Sequence, residues 1–448
     1  MSSTTPFPAP APAPDPTISA EGSPNILGPK LSIPYLGQRP EAPRPWWFIA
    51  ALCLGELGVF VVLMGPATVS IAFKVQALTS DPAQQTAMLG TIMPFGALAA
   101  LIFNALGGRI SDRTTSGYGR RRPWLVIGIL GIAASMLILA LGTSTWVLAL
   151  GWFLAQGFGN FALAALVASV SDQLPETQYG KTSGLIGVAQ NVAVMLATWM
   201  SAWFMHSMFL LFMVPAVLGL VLVLVYALTI PEPVLKENRY PFNFREFITS
   251  FWTNPIRFPD FGLAWWGRFL IIFASMLFMT LGPMYMTRHL GLSGDEGAYA
   301  IAIGVTIYTV TVMIAGIAAG WISDLLRRRK AIVALSSVIF AIATYLLAHA
   351  DTVGHFYMIE ALMGIAIGMY FAVDMALVLE VLPDRLNSGK DLGVFNIANA
   401  LPQSLSPAVG AWLLGTLGHN TDFTPLLVVA AVSALVGAAI TMLIRSVR

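Results

Sequence analysis

Long apolar runs alternate with short polar segments along the chain beyond residue 45, and there are twelve such runs. A helix of about twenty apolar residues crosses the ~30 Å hydrocarbon core of a bilayer. The pattern therefore predicts an all-α membrane protein with twelve transmembrane helices, which we number as spans 1 to 12. The spans lie near residues 46–74, 85–108, 124–142, 146–171, 182–204, 207–230, 261–287, 297–320, 331–348, 354–381, 391–416 and 423–444.

Composition supports this class, because hydrophobic residues make up 57% of the chain and charged residues 10%. Soluble domains usually hold about 45–50% apolar and about 25% charged residues. Residues 1–45 differ, since they are polar and Pro/Ala-rich; we expect a disordered cytoplasmic tail there and no signal peptide. Cys53 is the one cysteine, which excludes a disulfide framework. We expect no metal site and no cofactor.

Basic residues are distributed unevenly between the two ends of the spans. With the N-terminus in the cytoplasm, the cytoplasmic segments hold 21 Lys and Arg residues, whereas the opposite segments hold only Lys74 and Arg288. Cytoplasmic loops of membrane proteins carry such an excess. We therefore expect a multi-pass protein of the cell membrane with both termini in the cytoplasm. The ends of the spans on that side are called inner, and the opposite ends outer.

The sequence also repeats itself at a nearly constant spacing. GRISD at 108–112 matches GWISD at 320–324, an offset of 212, and GKTSG at 180–184 matches GKDLG at 389–393, an offset of 209. Gly-Pro pairs in spans 1 and 7 also match. Two parallel halves are typical of secondary transporters, with the binding site between them near the midplane. The predicted domains are the tail 1–45, a six-helix bundle 46–230, a cytoplasmic linker with an amphipathic segment 231–260, and a second six-helix bundle 261–448.

The loop between spans 2 and 3 reads GGRISDRTTSGYGRRRPW and holds six charged residues in eighteen positions. It resembles the signature of the major facilitator superfamily, and a degenerate copy, GWISDLLRRRK, follows span 8. The longer form SDRTTSGYGRRRPW is similar to that of the sucrose transporters and the wider glycoside–pentoside–hexuronide:cation symporters. The resemblance implies a transporter, not an enzyme, built from two pseudo-symmetric six-helix bundles that work by alternating access.

The small and charged residues of this loop are candidates for a role in gating. Glycines let helix backbones approach closely. Asp112 can accept hydrogen bonds from the N–H groups at the start of a neighbouring helix, or pair with Arg113 or the other arginines. Asp172 and Glu380 lie at the inner ends of spans 4 and 10, within reach of the arginines. Such pairs would hold the inner side closed while the outer side is open; the alternative is that the basic residues only fix the topology. The residues assigned to gating are Gly108, Asp112, Arg113, Gly119, Arg120, Arg121, Arg122, Asp172, Gly320, Asp324 and Glu380.

Strongly polar side chains are absent from the interiors of spans 3, 6, 9 and 12. This pattern is expected if every third helix faces lipid, because polar groups inside a membrane usually face a cavity. Gln190 and Asn399 are equivalent in the repeat, and both substrate contact and interhelical hydrogen bonding are open for them. Pro402 and Pro407 are expected to interrupt span 11, where broken backbone can line a cavity. The residues assigned to the substrate cavity are Arg268, Gln156, Asn160, Gln190, Asn191, Asn396, Asn399 and Gln403.

Two acids inside the spans are candidates for carrying a coupling proton. Glu56 lies about ten residues into span 1, which is about 15 Å deep at ~1.5 Å per residue. Asp374 lies about eight residues from the inner end of span 10. A charge at the bilayer centre costs roughly 2.5–3.5 kcal/mol on insertion scales, so a carboxyl there favours its neutral form. A structural hydrogen bond is the alternative role for either acid. Arg268, in span 7, either extends to the cytoplasm or pairs with an acid.

These observations predict proton-coupled transport of a small solute, a sugar or glycoside, by alternating access. No Gly-rich phosphate-binding loop occurs, so ATP coupling is not expected. Span 2 has no acid, which argues against sodium coupling of the melibiose type, and span 4 lacks the arginine that plant sucrose transporters carry. The alternatives are proton-driven efflux of a drug or amphipathic metabolite, and a non-transporting receptor or pigment-delivery protein. The expected partners are the solute, protons and the lipid bilayer, with no nucleic acid, and the expected state is a monomer.

Overall fold

A computed structural model describes residues 42–231, 257–326, 328–381 and 388–445, and the regular structure within these ranges is helical throughout. The predicted tail up to residue 41 and residues 232–256 of the predicted linker lie outside the described residues. The helices of spans 1 to 12 are, in order, Trp46–Gly65 continued by Pro66–Ser70 and Ile71–Leu78, Pro82–Asp112, Arg122–Leu141, Thr145–Gln173, Glu176–Trp203, Met208–Thr229, Pro259–Met279 continued by Gly282–Arg288, Gly294–Leu326, Arg329–Leu347, Val353–Val381, Ser388–Thr416 and Thr424–Met442.

Each predicted span thus corresponds to a helix. Within the described ranges, eleven helices are long and apolar enough to cross a membrane. Span 11, Ser388–Thr416, is the helix outside that group: it has 29 residues but a more polar sequence. The chain is therefore an all-α membrane protein, as the hydrophobic pattern predicts.

The helices pack mainly within two halves of the chain, and the pairings repeat. In the first half span 1 packs against spans 5 and 6, and span 4 against spans 2 and 3. In the second half span 7 packs against spans 11 and 12, and span 10 against spans 8 and 9. The halves meet through span 2 against span 11 and span 5 against span 8, which are also equivalent pairs. Spans 3, 6, 9 and 12 have their main contacts inside their own half. The domain bounds 46–230, 231–260 and 261–448 stay predictions.

Spans 1 and 7 both change geometry at the repeated Gly-Pro pair. In span 1 the segment Pro66–Ser70 is π-helical, and span 7 breaks between Met279 and Gly282. Proline has no N–H to donate, and its ring clashes with the carbonyl four residues earlier, so the regular helix cannot continue unchanged. Both halves therefore depart from regular α-helix at equivalent places, near their outer ends.

Span 11 behaves differently, and the prediction that Pro402 and Pro407 interrupt it is wrong. The helix Ser388–Thr416 runs through both prolines. Transmembrane helices tolerate proline when neighbouring helices and hydroxyl side chains satisfy the freed backbone groups. Next to Pro407, the Ser406 hydroxyl donates to the Phe273 carbonyl of span 7 at 3.1 Å, which links span 11 to its neighbour.

The two halves touch at their outer ends. Trp199 Nε1 of span 5 donates to Thr306 Oγ1 of span 8 at 2.9 Å. A Cβ placed on Gly90 of span 2 would lie 2.9 Å from Ala411 Cβ of span 11. At the inner ends of spans 5 and 8 the glycines are open instead, since a Cβ on Gly184 or Gly320 meets nothing within 4 Å. The structure is thus closed across the outer side, and none of the described residues lies close to these inner glycines.

Candidate functional site

Glu56 lies in the interior of the first half and has one polar contact with the described residues. Its side chain is 1% exposed, and Oε2 accepts a hydrogen bond from Gln190 Nε2 of span 5 at 3.2 Å. Oε1 is fully buried and has no hydrogen-bond partner in the part of the chain that the structure describes. An ionised carboxylate in such a place is costly unless it is paired. Glu56 therefore has the surroundings of a group that is held neutral or is neutralised by something that binds.

A second polar group joins spans 2 and 4 in the same half. Asn160 Oδ1 accepts from Asn104 Nδ2 at 3.1 Å, and Asn160 Nδ2 donates to the Gln156 carbonyl oxygen at 2.8 Å. Asn191 Nδ2, on span 5, donates to the Gly187 carbonyl of its own helix at 2.9 Å. These bonds give the amides polar partners, and the first of them links neighbouring helices of the first half.

In the second half, Arg268 of span 7 lies in a polar cluster with residues of spans 10 and 11. Arg268 Nη1 donates to Asp374 Oδ2, and Arg268 Nε donates to Asn399 Oδ1 at 2.7 Å. The Tyr370 hydroxyl donates to Asp374 Oδ1 at 2.7 Å. The guanidinium carbon lies 5.0 Å from the centre of the Phe395 ring. Of the two alternatives for Arg268, the structure shows pairing with an acid, and both partners are buried.

Two predicted cavity residues of span 11 stand apart from this cluster. Gln403 is exposed, and no contact of it with the cluster is seen. The side chain of Asn396 lies outside the described residues. The contacts of Arg268, Asp374 and Asn399 therefore define the candidate site in the second half.

The predicted gating residues at the inner end of the first half form one ion-pair network. Arg120 donates to Asp172 Oδ2, and Arg121 Nε donates to the same oxygen at 3.0 Å. Arg121 also pairs with Asp112 Oδ1 at 2.5 Å. Arg122 donates to the Ile230 carbonyl at 2.7 Å, which fixes the loop to the end of span 6. All these partners belong to the first half.

The remaining gating residues include a shorter copy of the network. Arg329 Nη1 pairs with Glu380, which ties span 9 to span 10. Gly119 has φ 105°, a conformation that glycine adopts without strain and that turns the loop back towards span 3. Gly108 and Gly320 have open space around them. Arg113 also interacts with other residues of the chain. The side chain of Asp324 lies outside the described residues.

The outer side holds a cluster around Arg288 that the sequence reasoning missed. Its Nη2 donates to Gln85 Oε1 at 2.5 Å and its Nη1 to Thr86 Oγ1 at 3.2 Å, both on span 2. Nη1 also donates to the Asn420 carbonyl, between spans 11 and 12, at 2.8 Å. Arg288 therefore connects the two halves. A signal was present, because Arg288 is one of two basic residues in the outer segments.

Comparison with known proteins fits this architecture. A sequence model of the Major Facilitator Superfamily matches residues 55–305 and 264–448, which together cover most of the chain. The chain belongs to the Major Facilitator Superfamily. It is a transporter of that superfamily, and the signature loop, the repeated pairings and the buried polar groups are features of that transporter.

Several individual transporters resemble this one over part of their length. A D-galactonate transporter of Escherichia coli O6:H1 is 28% identical over 212 residues, 46% of each chain. The sucrose transport protein SUC4 of Arabidopsis thaliana is 36% identical over 75 residues, 17% of this chain and 14% of that protein. The tetracycline resistance protein, class H, of Pasteurella multocida is 30% identical over 159 residues, 34% of this chain and 38% of that protein. The matches thus span less than half of each curated relative.

The fold is also similar to that of solved transporters. The crystal structure of a point mutant of the nucleoside transporter NupG superposes with a TM-score of 0.72 at 16% identity, covering 89% of this chain and 99% of that one. A second crystal structure of NupG superposes with a TM-score of 0.69 at 15% identity, covering 89% of this chain and 98% of that one. At this identity the likeness concerns the fold alone.

Proposed function

We propose that this transporter moves a small polar solute, a sugar or glycoside, across the cell membrane together with protons, with both termini in the cytoplasm. The observation that carries the proposal is Glu56, an acid that is 1% exposed and has one carboxylate oxygen without a partner among the described residues. A proton is the smallest ligand that removes the cost of this charge. Asp374 ranks second, because Arg268 already neutralises it.

Proton binding becomes coupling when the solute binds the two protonation states unequally. The proton gradient then drives accumulation of the solute through this difference in affinity. The outer contacts around Arg288 and the inner ion pairs around Arg121 provide two places where alternating access can be controlled. The names of the relatives include a sugar acid and a disaccharide, which favours a hydroxylated solute, and also a drug, which keeps efflux as the alternative.

The proposal is tested with purified protein in liposomes that contain a pH-sensitive dye. A panel of neutral sugars, sugar acids, nucleosides and tetracycline is added outside, one at a time. Proton-coupled uptake requires internal acidification with one class of sugar and none in liposomes without protein. Solute movement without proton movement would contradict coupling, and proton movement with tetracycline alone would favour drug transport. A receptor would move neither.

A further inference from the structure

The guanidinium of Arg268 has an unused donor group. Nη1 contacts Asp374 and Nε contacts Asn399, but Nη2 has no hydrogen bond to any described residue. The Arg268 side chain is 8% exposed, so the guanidinium is not completely sealed. Arginine binds carboxylates best through two parallel N–H···O bonds. Here Asp374 takes one of the two amino groups, and the other is left for a ligand.

The surroundings hold this guanidinium in a fixed orientation. Asn399 holds Nε, and the Phe395 ring lies 5.0 Å from the guanidinium carbon. Neither contact uses the Nη2 donor. Tyr370 donates to the second oxygen of Asp374, so the acid keeps a hydrogen bond if its contact with Arg268 is lost. Tyr370 can therefore keep Asp374 near the site when the carboxylate turns away from Arg268.

Charge balance then limits what takes the place of Asp374. Arg268 is 7% exposed, and arginine stays charged in proteins. A buried ion pair that loses one partner leaves an uncompensated charge, which is strongly destabilising. When Asp374 takes up a proton, Arg268 needs another anion. A neutral sugar does not supply one, whereas a solute with a carboxylate does.

We propose that Arg268 binds a carboxylate of the transported solute through both amino groups, and that Asp374 pairs with one of them, Nη1, when the solute is absent. This inference rests on the proposed transport function and narrows its substrate to a small hydroxylated acid, of the sugar-acid class. Protonation of Asp374 then favours solute binding at Arg268. Arg268, Asn399 and Phe395 determine the specificity for an anion, and Tyr370 positions Asp374.

The test uses the purified full-length protein and sodium gluconate as the probe, with glucose plus sodium chloride at equal ionic strength as the control. Asp374→Asn removes the internal anion and lowers Tm. Gluconate is expected to restore about half of the lost Tm at high concentration, through ligand linkage, and glucose none. In the double variant Arg268→Met/Asp374→Asn the gluconate effect must vanish. An equal gluconate shift in the double variant, or none in Asp374→Asn, overturns the proposal.

The wild-type protein gives the answer if Asp374→Asn does not fold. The Tm shift caused by gluconate relative to glucose must then be larger at pH 5 than at pH 8, because acid frees Arg268 from Asp374. A shift that is absent, or equal at both pH values, contradicts the proposal. The transport function is tested separately through Glu56. If only the gluconate effect is missing, the anion site at Arg268 is refuted. If only the Glu56 test fails, the assignment of the coupling proton to Glu56 is refuted.

Discussion

Gln190 and Asn399 occupy equivalent positions in spans 5 and 11, and each contacts an ionisable group of the adjacent span in its own half. Gln190 donates to Glu56 of span 1, and Asn399 accepts from Arg268 of span 7. The repeat thus keeps one arrangement, an amide against an ionisable side chain, while the side chain is acidic in one half and basic in the other. In the second half Asp374 neutralises the arginine, and no described cation neutralises Glu56.

Arg288 is predicted to hold the outer side closed. Arg288→Ala removes hydrogen bonds from a charged donor to Gln85 and to the Asn420 carbonyl. Such bonds contribute about 1.5–3 kcal/mol each, so the net loss of even one of them should raise the outward-open population about tenfold. A cysteine at Thr306, in a protein with Cys53→Ala, should then react about tenfold faster with an impermeant thiol reagent added outside.

Lys74 provides the matched control for Arg288. It is the other basic residue of the outer segments, but its Nζ donates to the Ala140 carbonyl within the same half, at 2.7 Å. Lys74→Met should leave the labelling rate of Thr306→Cys unchanged. Equal acceleration by both substitutions would mean that general loosening, and not the link between the halves, is responsible.

Asp112 is predicted to govern the rate of the conformational cycle and not the affinity for the solute. Its pair with Arg121 is at the inner end, and the Asp112 side chain is 44% exposed. A pair this exposed contributes no more than about 1 kcal/mol, so Asp112→Asn should slow transport about fivefold. Solute affinity of the purified variant should be unchanged. Asp81→Asn, at the outer end of the same helix, keeps its capping role and is the control. Normal transport with a weakened affinity would refute the gating role.

Gly96 is predicted to be required for the packing of span 2 on span 4. A Cβ there would lie 2.0 Å from Trp152 Nε1, and the indole is buried. Overpacking of this kind costs about 1–3 kcal/mol, so Gly96→Ala should lower Tm in detergent. Gly108→Ala, in the same helix, meets nothing within 4 Å and should be neutral or slightly stabilising. Adding Trp152→Phe to Gly96→Ala should recover part of the loss; no recovery would place the strain elsewhere.

Exposed apolar residues are predicted to divide into two classes by the surface on which they lie. Leu130 of span 3 is 52% exposed and Val188 of span 5 is 41% exposed. Span 3 packs within its own half, whereas span 5 borders the second half, and its inner glycines are open. In the Cys53→Ala background, Val188→Cys should react with a water-soluble thiol reagent and Leu130→Cys should not. Labelling of Leu130→Cys would show that span 3 does not face lipid.

The helices could be predicted from the sequence because each depends on a local pattern. Twenty apolar residues form a helix in a membrane whatever surrounds them, since every backbone group must be satisfied internally. The repeat predicted the paired halves for the same reason, as matched segments fold alike. Span 11 departs from the expectation because the sequence shows only the local effect of each proline. The contact of Ser406 with span 7 depends on the fold and could not be predicted from the sequence.

The candidate site was predictable as a set of residues but not as a set of partners. Burial cost alone singled out Glu56, Asp374 and Arg268. The acid that pairs with Arg268 depends on how spans 7 and 10 pack, and the sequence pattern of a single helix does not contain this information. Arg288 was counted only for the topology, because its contacts with span 2 depend on the two halves closing at the outer side.

The central claim is that Glu56 carries the coupling proton, and one pair of measurements on Glu56→Gln tests it. Glutamine imitates the protonated acid and still offers a polar group to Gln190. In proteoliposomes loaded with the solute that the panel identifies, the variant should still exchange internal for external solute at equal concentrations, because exchange needs no proton turnover. It should accumulate far less solute than the wild type when a pH gradient is imposed, because only Asp374 then still responds to the gradient. Glu296→Gln, on the exposed outer surface, should do both. Accumulation by Glu56→Gln at the wild-type rate would contradict the account and leave Glu56 as a structural hydrogen-bonding residue.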